Sequence, residues 1–593
     1  MMLLPARFIA ALSRINCERA WEIALLLAIV LAGAVAISPN VADPDLWGHV
    51  QYGRDTLQYG LAKTTTYSYI APHETWINHE NLMEIALAWG ADTLGPLGLV
   101  AIKLLAGAGL LLVLLVQMRR QNLALLTTAI LLLLTASGLA RYWSLRPQLF
   151  SFVAYAGLLS LLSWIFAGWE GSWQLQGPNT LATAAKVRYR WRLLLLWTVP
   201  LLMAAWTNAH GGFLAGECIY TAYLVLRGCE FASQWGYQAL GMCKRFALMI
   251  FVAWLATFFT PYGYKFHLWL WQDLSVPRPE IIEWLPPNLL APEFLPLVLL
   301  MATFAITLCC SRLSFDFTHL VILALTLWQS LSHERHIPFF ALSVAYFLPR
   351  HVENVLRRFG IVADSVPTVA LPAWLRVAFP LGIMAAFGLL GSKLYERLSE
   401  LKVQRYEQPL AAVEFIARHH LQGRMVCAMN WAQYVLYACG PHRSRETGIL
   451  VQIDGRLRTA YSQAMLDAHF DFILGEQSPQ ERYRDPSTPF NATRVLHEKQ
   501  PNLVLIDQGQ PHAVQVMERE SRDWALLYQD AVAQLWGRRA RYDDPNSPDF
   551  LPPSERQIGQ EPQVGHVGWP AFPATTDPLT HTQLSVLDRQ GVE

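Results

Sequence analysis

The stretch IALLLAIVLAGAVAISPNVADPDLWGH, Ile23 to His49, decides how the rest of the chain is read. From Ile23 to Ile37 there is no charged or polar side chain; then Asp43, Asp45, Trp47 and His49 crowd together. An apolar run approaching ~20 residues reads as a membrane span. Ionisable groups packed where such a run meets water are functional candidates by default.

Runs of the same kind recur: Leu97–Val116, Leu123–Ala140, Leu149–Trp169, Leu193–Trp206, Phe213–Leu226 and Phe246–Phe259. Phe294–Cys310, Leu320–Trp328, Ile337–Leu348 and Ala378–Gly391 follow. With the first run they make about eleven spans, the shorter ones being the weakest. Only 15% of the 593 residues are charged, while 53% are hydrophobic. Soluble domains carry about 25% charged residues. The expected fold class is therefore an α-helical polytopic membrane protein. A formal net charge of +1 gives no electrostatic footprint for nucleic acid. Arg7, Arg14 and Arg19 before the first run also fit a signal peptide. A lead of about 20 residues is long for that, and cleavage would put the later charges out of step.

Basic residues set the orientation, because short cytoplasmic loops collect Lys and Arg. Arg119 and Arg120, the group Lys186 to Arg192, Arg227, Lys244 and Arg245, Arg312 and Arg350 all fall on one side. That side is the cytoplasmic one if residues 1–20 are inside. ADPDLWGH, WINHENLMEI (Trp76–Ile85), WTNAHGGF (Trp206–Phe213), RPEIIEWLPP (Arg278–Pro287) and HERHIPFF (His333–Phe340) then converge on the outer face. The transmembrane region is placed at 21–391, with a large first outer loop at 39–96.

Past Gly391 the charge level becomes ordinary. Gly423–Asn430, Gly448–Arg456 and Pro501–Gly509 read as short buried strands, and Pro409–Leu421 as an amphipathic helix. Alternating helices and strands predict a soluble α/β domain over 392–545. Pro, Gln, Asp and Thr dominate 546–593, which predicts a poorly ordered tail. Of 8 cysteines only Cys427 and Cys439 fall in this part. They either pair in an oxidising compartment or stay as two buried thiols.

Asp43 and Asp45 suit a catalytic base or a ligand to Mg²⁺ or Mn²⁺, since hard cations take carboxylate oxygens. The competing reading is a helix cap, with Pro44 in the first turn. His49 lies four residues after Asp45 and would share its helix face. His79, Glu80 and Glu84 open a second outer helix, as a ligand face or as a solvated one. Asn208 and His210 precede Gly211 and Gly212, which let backbone approach closely. Glu283 sits in a Pro-framed outer loop as a second acid or metal ligand. His333, Arg335 and His336 suit a phosphate, Arg being fitted to bidentate contact.

In order, ADPDLWGH, WINHENLMEI, LRPQLFSF, WTNAHGGF, EIIEWLPP, HERHIPFF and the exported GRMVCAMNWAQYVLY and ILVQIDGRLRTAY resemble bacterial polytopic proteins of the C-type glycosyltransferase (GT-C) superfamily. There is a more distant likeness to the oligosaccharyltransferase catalytic subunit. The resemblance implies sugar transfer from a polyprenyl-phosphate-linked donor, on the outer face of a bacterial inner membrane, with the C-terminal domain periplasmic. An aspartate of the first outer loop, here Asp43 or Asp45, would act near the acceptor, with a divalent cation that Asp45 and Glu283 would hold. His49, His79, Glu80, Asn208, His210, Glu283, His333, Arg335 and His336 would line the substrate site. Partners would be membrane lipid, the lipid-linked sugar, and a glycan, lipid or protein acceptor, but no nucleic acid. Gly48 stands where relatives often carry a second tryptophan, and WAQY replaces WGGY. A flippase for a lipid-linked glycan and a non-catalytic scaffold of an envelope assembly remain the rival readings. Ionisable groups gathered at one face disfavour the flippase, whose sites belong near the bilayer midplane.

Overall fold

The computed structural model describes residues 6–72, 74–169, 191–363, 373–440, 448–477 and 482–571. The chain divides into two compact units. One comprises Met1–Asn40, Leu97–Tyr264 and Ile281–Ser399; the other Val41–Pro96, Lys265–Glu280 and Glu400–Glu593.

The first unit is helical. Each apolar run read from the sequence lies on helix. Among the described residues, five stretches can cross a membrane by length and composition: Asn81–Arg120, Gln148–Ile165, Phe213–Ala256, Pro292–Cys310 and Val377–Ser399. Ala20–Ala36, Leu125–Ala140 and Phe317–Ser332 are shorter apolar helices. The chain is thus a multi-pass membrane protein. The Ile337–Phe347 helix is buried at every residue, as expected of a helix apolar all round. It packs on Leu125–Ala140, where a β-carbon at Gly138 would lie 3.1 Å from that of Ala341. Small residues at such crossings let helix backbones approach. At one end of the Phe213–Trp235 helix, buried Arg227 donates to Asp316 Oδ2 at 2.6 Å and to Glu230 Oε2 at 2.9 Å. A buried guanidinium persists when its charge is paired in this way. Lys186, Arg188 and Arg190 of the basic group lie outside the described residues.

The long helix Asn81–Arg120 breaks at Gly95, whose φ of +68° precedes Pro96. Glycine tolerates that dihedral, and proline removes a helix donor. Residues up to Pro96 belong to the second unit and those from Leu97 to the first. The first outer loop, expected within the transmembrane region, therefore groups with the C-terminal domain. The domain itself begins at Glu400, because the helix Ala373–Ser399 runs past position 392.

The second unit is built on a sheet. Its strands are β1 (Lys402–Gln404), β2 (Gly423–Cys427), β3 (Ile449–Val451), β4 (Leu503–Asp507), β5 (Trp524–Gln529), β6 (Ala533–Arg538), β7 (Gln557–Ile558) and β8 (His566–Gly568). Six of them form one sheet in the order β3-β2-β4-β6-β5-β7, and β1 pairs with β8. β2 runs parallel to β3 and β4, while β4–β6 and β5–β6 are antiparallel. The three strands read from sequence are β2, β3 and β4. The sequence reading does not include the β5–β6 pair, although WALLYQ and AQLWGR are apolar and mostly buried. Val426, Val504, Ile506, Phe472, Trp524 and Trp536 make the core on the helical side.

The expectation of a disordered tail from 546 is corrected over 546–571. β7 extends the sheet on β5, and β8 pairs with β1 from Lys402↔Gly568 to Gln404↔His566. Backbone pairing holds these strands without a run of apolar residues, so composition alone misplaces them. The rest of the expected tail, 572–593, lies outside the described residues. Cys427 is a buried free thiol, and Cys439 is half-buried.

Candidate active site of the sheet-bearing unit

ADPDLWGH folds as a turn leading into the helix Leu46–Tyr59. The two aspartates separate in role. Asp43 Oδ1 accepts the backbone N–H of Asp45 at 3.0 Å, and Asp43 O accepts that of Leu46 at 3.0 Å. Asp43 thus shapes the turn ahead of the helix and is not its cap, and Pro44 lies before the first helical turn. Asp45 occupies the cap position without a side-chain capping bond. Its carboxylate lies against the IDGR turn: a β-carbon at Gly455 would be 2.9 Å from Asp45 Oδ1 and 2.5 Å from Gln433 Nε2. Gln433 comes from the helix Met429–Cys439 that carries WAQY, and it also abuts Gly48. The first-loop motif and the two motifs of the C-terminal domain therefore meet at one place.

One turn on, His49 is buried and faces the start of the helix that opens at Asn81. Its Nδ1 is 3.3 Å from Glu84 Oε1 and 3.9 Å from Glu80 Oε2. Burial by itself would lower the His49 pKa. The hydrogen bond to Glu84 and the charges of Glu80, Glu84 and Asp45 outweigh it and raise the pKa to about 9. At neutral pH the ring is an imidazolium held between two carboxylates. Asn78 Nδ2 donates to Glu84 Oε2 at 2.6 Å, and Asn78 Oδ1 accepts the backbone N–H of Glu80 at 3.2 Å. His79 Nε2 lies 3.8 Å from Glu80 Oε1, and its ring sits 5.4 Å from that of Trp269. One ligand atom each from His49, Glu80 and Glu84 lies within 4.8 Å of the others, a group able to hold a metal ion. Neither Asp45 nor Glu283, the expected ligands, is in that group.

Behind this cluster stands Arg456 of the IDGR turn. It is buried, donates to Asp454 Oδ2 at 2.7 Å and to Thr65 Oγ1 at 2.6 Å, and lies over the ring of Trp76 at 4.6 Å and of Tyr52 at 5.1 Å. Tyr461 OH donates to Asp454 Oδ2 at 2.9 Å. Thr65, Tyr52 and Trp76 come from the segment Val41–Pro96, so this ion pair ties that segment to the sheet domain. Tyr52 OH, Gln433 Oε1 and Arg456 Nη1 are buried polar atoms with no hydrogen-bond partner among the described residues. Buried groups of this kind are normally satisfied, and exceptions point to water, ions or ligand.

The segment 566–571 straps the same region. Trp47 Nε1 donates to Pro570 O at 2.9 Å, Tyr434 OH donates to Ala571 O at 2.6 Å, and Trp569 packs on Tyr437. Trp47 and Tyr434 rings are 5.1 Å apart.

The other expected site residues belong to the helical unit. Asn208 Nδ2 donates to the carbonyls of Ala204 at 2.8 Å and Phe259 at 2.7 Å, so its amide joins helix ends. His210 Nδ1 lies 2.7 Å from Ser151 Oγ and accepts the Gly212 N–H at 3.0 Å. Glu283 Oε1 accepts from Arg146 Nη1 at 3.0 Å. His333 Nδ1 lies 2.7 Å from Trp284 O, and its ring packs against those of Trp284 and His336. Arg335 lies over the Trp284 ring at 4.8 Å. Within their unit, His333 and Arg335 gather around Trp284, and His336 packs on His333. The residues missed by sequence reasoning are Gln433, Asn78 and the pairing of Glu84 with His49. Only WINHENLMEI signalled any of them, through its density of polar groups.

No protein-family model and no curated protein matches the chain. Among solved structures it is similar to the oligosaccharyltransferase AglB of Archaeoglobus fulgidus, in complex with an inhibitory peptide and a dolichol-phosphate. That likeness has 11% identity, covers 83% of this chain and 70% of that one, and has a TM-score of 0.49. It is also similar to ArnT of Cupriavidus metallidurans. The structure bound to undecaprenyl phosphate gives 12% identity, 89% of this chain, 98% of that one and a TM-score of 0.47. The apo structure gives 15%, 88%, 98% and 0.49. At such identities and scores, the chemistry has to be read from this chain's own residues.

Proposed function

We propose that the protein is a membrane glycosyltransferase of GT-C type that moves a sugar from a polyprenyl-phosphate-linked donor to an envelope acceptor. The reading places the reaction on the outer face of a bacterial inner membrane, with the N-terminus cytoplasmic and the sheet-bearing domain periplasmic. The observation that carries it is the meeting of Asp45 with Gln433 and Gly455, beside the His49–Glu80–Glu84 cluster. In transfer, the bond between the sugar's anomeric carbon and the donor phosphate oxygen breaks, and the acceptor oxygen bonds to that carbon. Asp45 takes the acceptor's proton, as a positioned carboxylate can. The polyprenyl phosphate leaves with the electron pair. Gln433 and Tyr52, with buried polar atoms unspent among the described residues, are assigned to sugar or acceptor hydroxyls. Arg335 stays a phosphate candidate through its fork of donors.

The donor set of His49, Glu80 and Glu84 fits a divalent cation. Its imidazole draws the choice from Mg²⁺ toward Mn²⁺. A cation bound there would supply positive charge to a developing phosphate anion. To ligate, His49 must first give up the Nδ1 proton that Glu84 holds.

The test is transfer of labelled sugar from polyprenyl-phosphate donors by the full chain in lipid nanodiscs. Asp45→Asn should abolish transfer while leaving the fold intact. Asp43→Asn, which keeps an acceptor oxygen for the turn, should retain most of it. Full activity in Asp45→Asn would remove the mechanism. Titration with Mn²⁺ should show binding that Glu80→Gln and Glu84→Gln each weaken.

A further inference from the structure

The helix Tyr264–Leu274, YKFHLWLWQDL, has two faces of unexpected character. Its inner face is fixed to the sheet-bearing unit: Phe266 is fully buried, Trp269 packs on His79, and Trp269 Nε1 donates to Arg458 O at 3.4 Å. The outer face should be polar if water covered it. Instead Tyr264, Leu268 and Trp271, spaced at i, i+4 and i+7, are 62%, 57% and 79% exposed. Leu274 at the helix end is 44% exposed. Single exposed apolar residues need no explanation, but a stripe of large ones does.

We infer that this face docks on the bilayer, the helix lying in the interface with Leu268 and Trp271 dipping into the acyl boundary. Three features favour lipid over a protein partner. Trp and Tyr are the residues enriched at membrane interfaces. Exposed Lys265, next to Tyr264 at the helix start, offers a cation to anionic headgroups. Only Thr257–Gly263 separates this helix from the apolar stretch Phe213–Ala256, and seven extended residues reach no more than about 25 Å. The helix start is thereby tethered near a membrane boundary. Because the inner face carries the contact to His79, the docked helix would tie the candidate site to the lipid surface. The inference stands whether or not the protein transfers sugar.

The experiment places a photo-crosslinking residue at position 268, 271 or 564 of the full chain, reconstituted in vesicles of phosphatidylethanolamine and phosphatidylglycerol. Val564, 76% exposed, is the control for an apolar side chain on the sheet domain. Illumination followed by mass spectrometry should find lipid adducts at 268 and 271 and not at 564. Adducts at 271 to a second copy of the chain, or a yield of lipid adduct no greater than at 564, would overturn it. All three positions are exposed, so substitution leaves the packed side of each element untouched.

Discussion

Gly53 lies against the backbone of Glu84 so closely that a β-carbon at 53 would fall 2.5 Å from the Glu84 carbonyl carbon and 2.8 Å from the Ala88 β-carbon. Backbone cannot swing away as a side-chain tip can. The absence of a side chain at 53 is therefore what lets the first-loop helix bring His49 to Glu84. Gly53→Ala should separate the two helices at a cost of about 1–3 kcal/mol, the range for overpacking. The expected result is a lower melting temperature together with weaker Mn²⁺ binding. Unchanged Mn²⁺ affinity would show that the helix contact does not set the cluster.

Arg456 and Asp454 form a buried pair inside a ring of aromatics. Removing one partner of such a pair leaves an uncompensated buried charge, typically costing about 3–5 kcal/mol. Arg456→Met should accordingly unseat the first outer loop from the sheet domain. Limited proteolysis should then cut between positions 60 and 76 in the variant and not in the parent protein. Arg456→Lys should be intermediate, because lysine keeps the charge and loses the two-pronged contact.

Trp47 hangs from the strap at Pro570 through its indole N–H. Trp47→Phe removes that donor while keeping an aromatic ring against Tyr434, and should cost about 1 kcal/mol, as the loss of one hydrogen bond does. A truncation ending at Gly565 removes β8 and every strap contact together. It should reduce transfer more than Trp47→Phe does, and hydrogen exchange in Leu46–Tyr59 should rise. Equal exchange in the truncated and full chains would detach the strap from the site.

His469 is fully buried in the sheet-bearing unit, with its Nδ1 3.1 Å from Gln452 Oε1. Burial and the neighbouring charge of Arg482 lower its pKa to about 3. The folded ring thus stays neutral where the unfolded ring, near 6.5, takes up a proton. Stability from this group is fully present above about pH 6.5 and declines as pH falls through that value toward 3, by up to about 1.4 kcal/mol per unit. Between pH 7.5 and 5.0 the domain's urea midpoint should fall, and His469→Gln should flatten that dependence. A midpoint with the same slope in both proteins would assign the effect elsewhere.

Sequence periodicity and composition were enough for the apolar helices, though not for Met429–Cys439, Gln463–Ile473 or Pro511–Arg519. Runs such as Ile23–Ile37 and Leu125–Ala140 declare themselves because every residue must satisfy an apolar environment. The same held for β2, β3 and β4, whose buried cores are continuous apolar runs. The short β7 and β8 escaped because their order comes from partners far along the chain, and Lys402–Gln404 gives no local sign of pairing with 566–568.

For the site, ADPDLWGH and WINHENLMEI stood out by residue type alone, and helical spacing put His49 on the face of Asp45. Local chemistry also offered Asp43 as a helix cap, but its carboxylate holds the Asp45 N–H in the turn before the helix, whose cap is Asp45. What no spacing rule contains is that Gln433 and Gly455 would flank Asp45, or that Glu84 would hold His49. Those contacts bridge hundreds of residues in one case and join two helices through a missing β-carbon in the other. They depend on how closely backbones approach, a property of the packed whole. The sequence by itself determined a membrane-spanning helical chain with a sheet-bearing C-terminal domain. Only the tertiary structure decided which reactive groups share a site, because burial and charge pairing arise between segments and not within them.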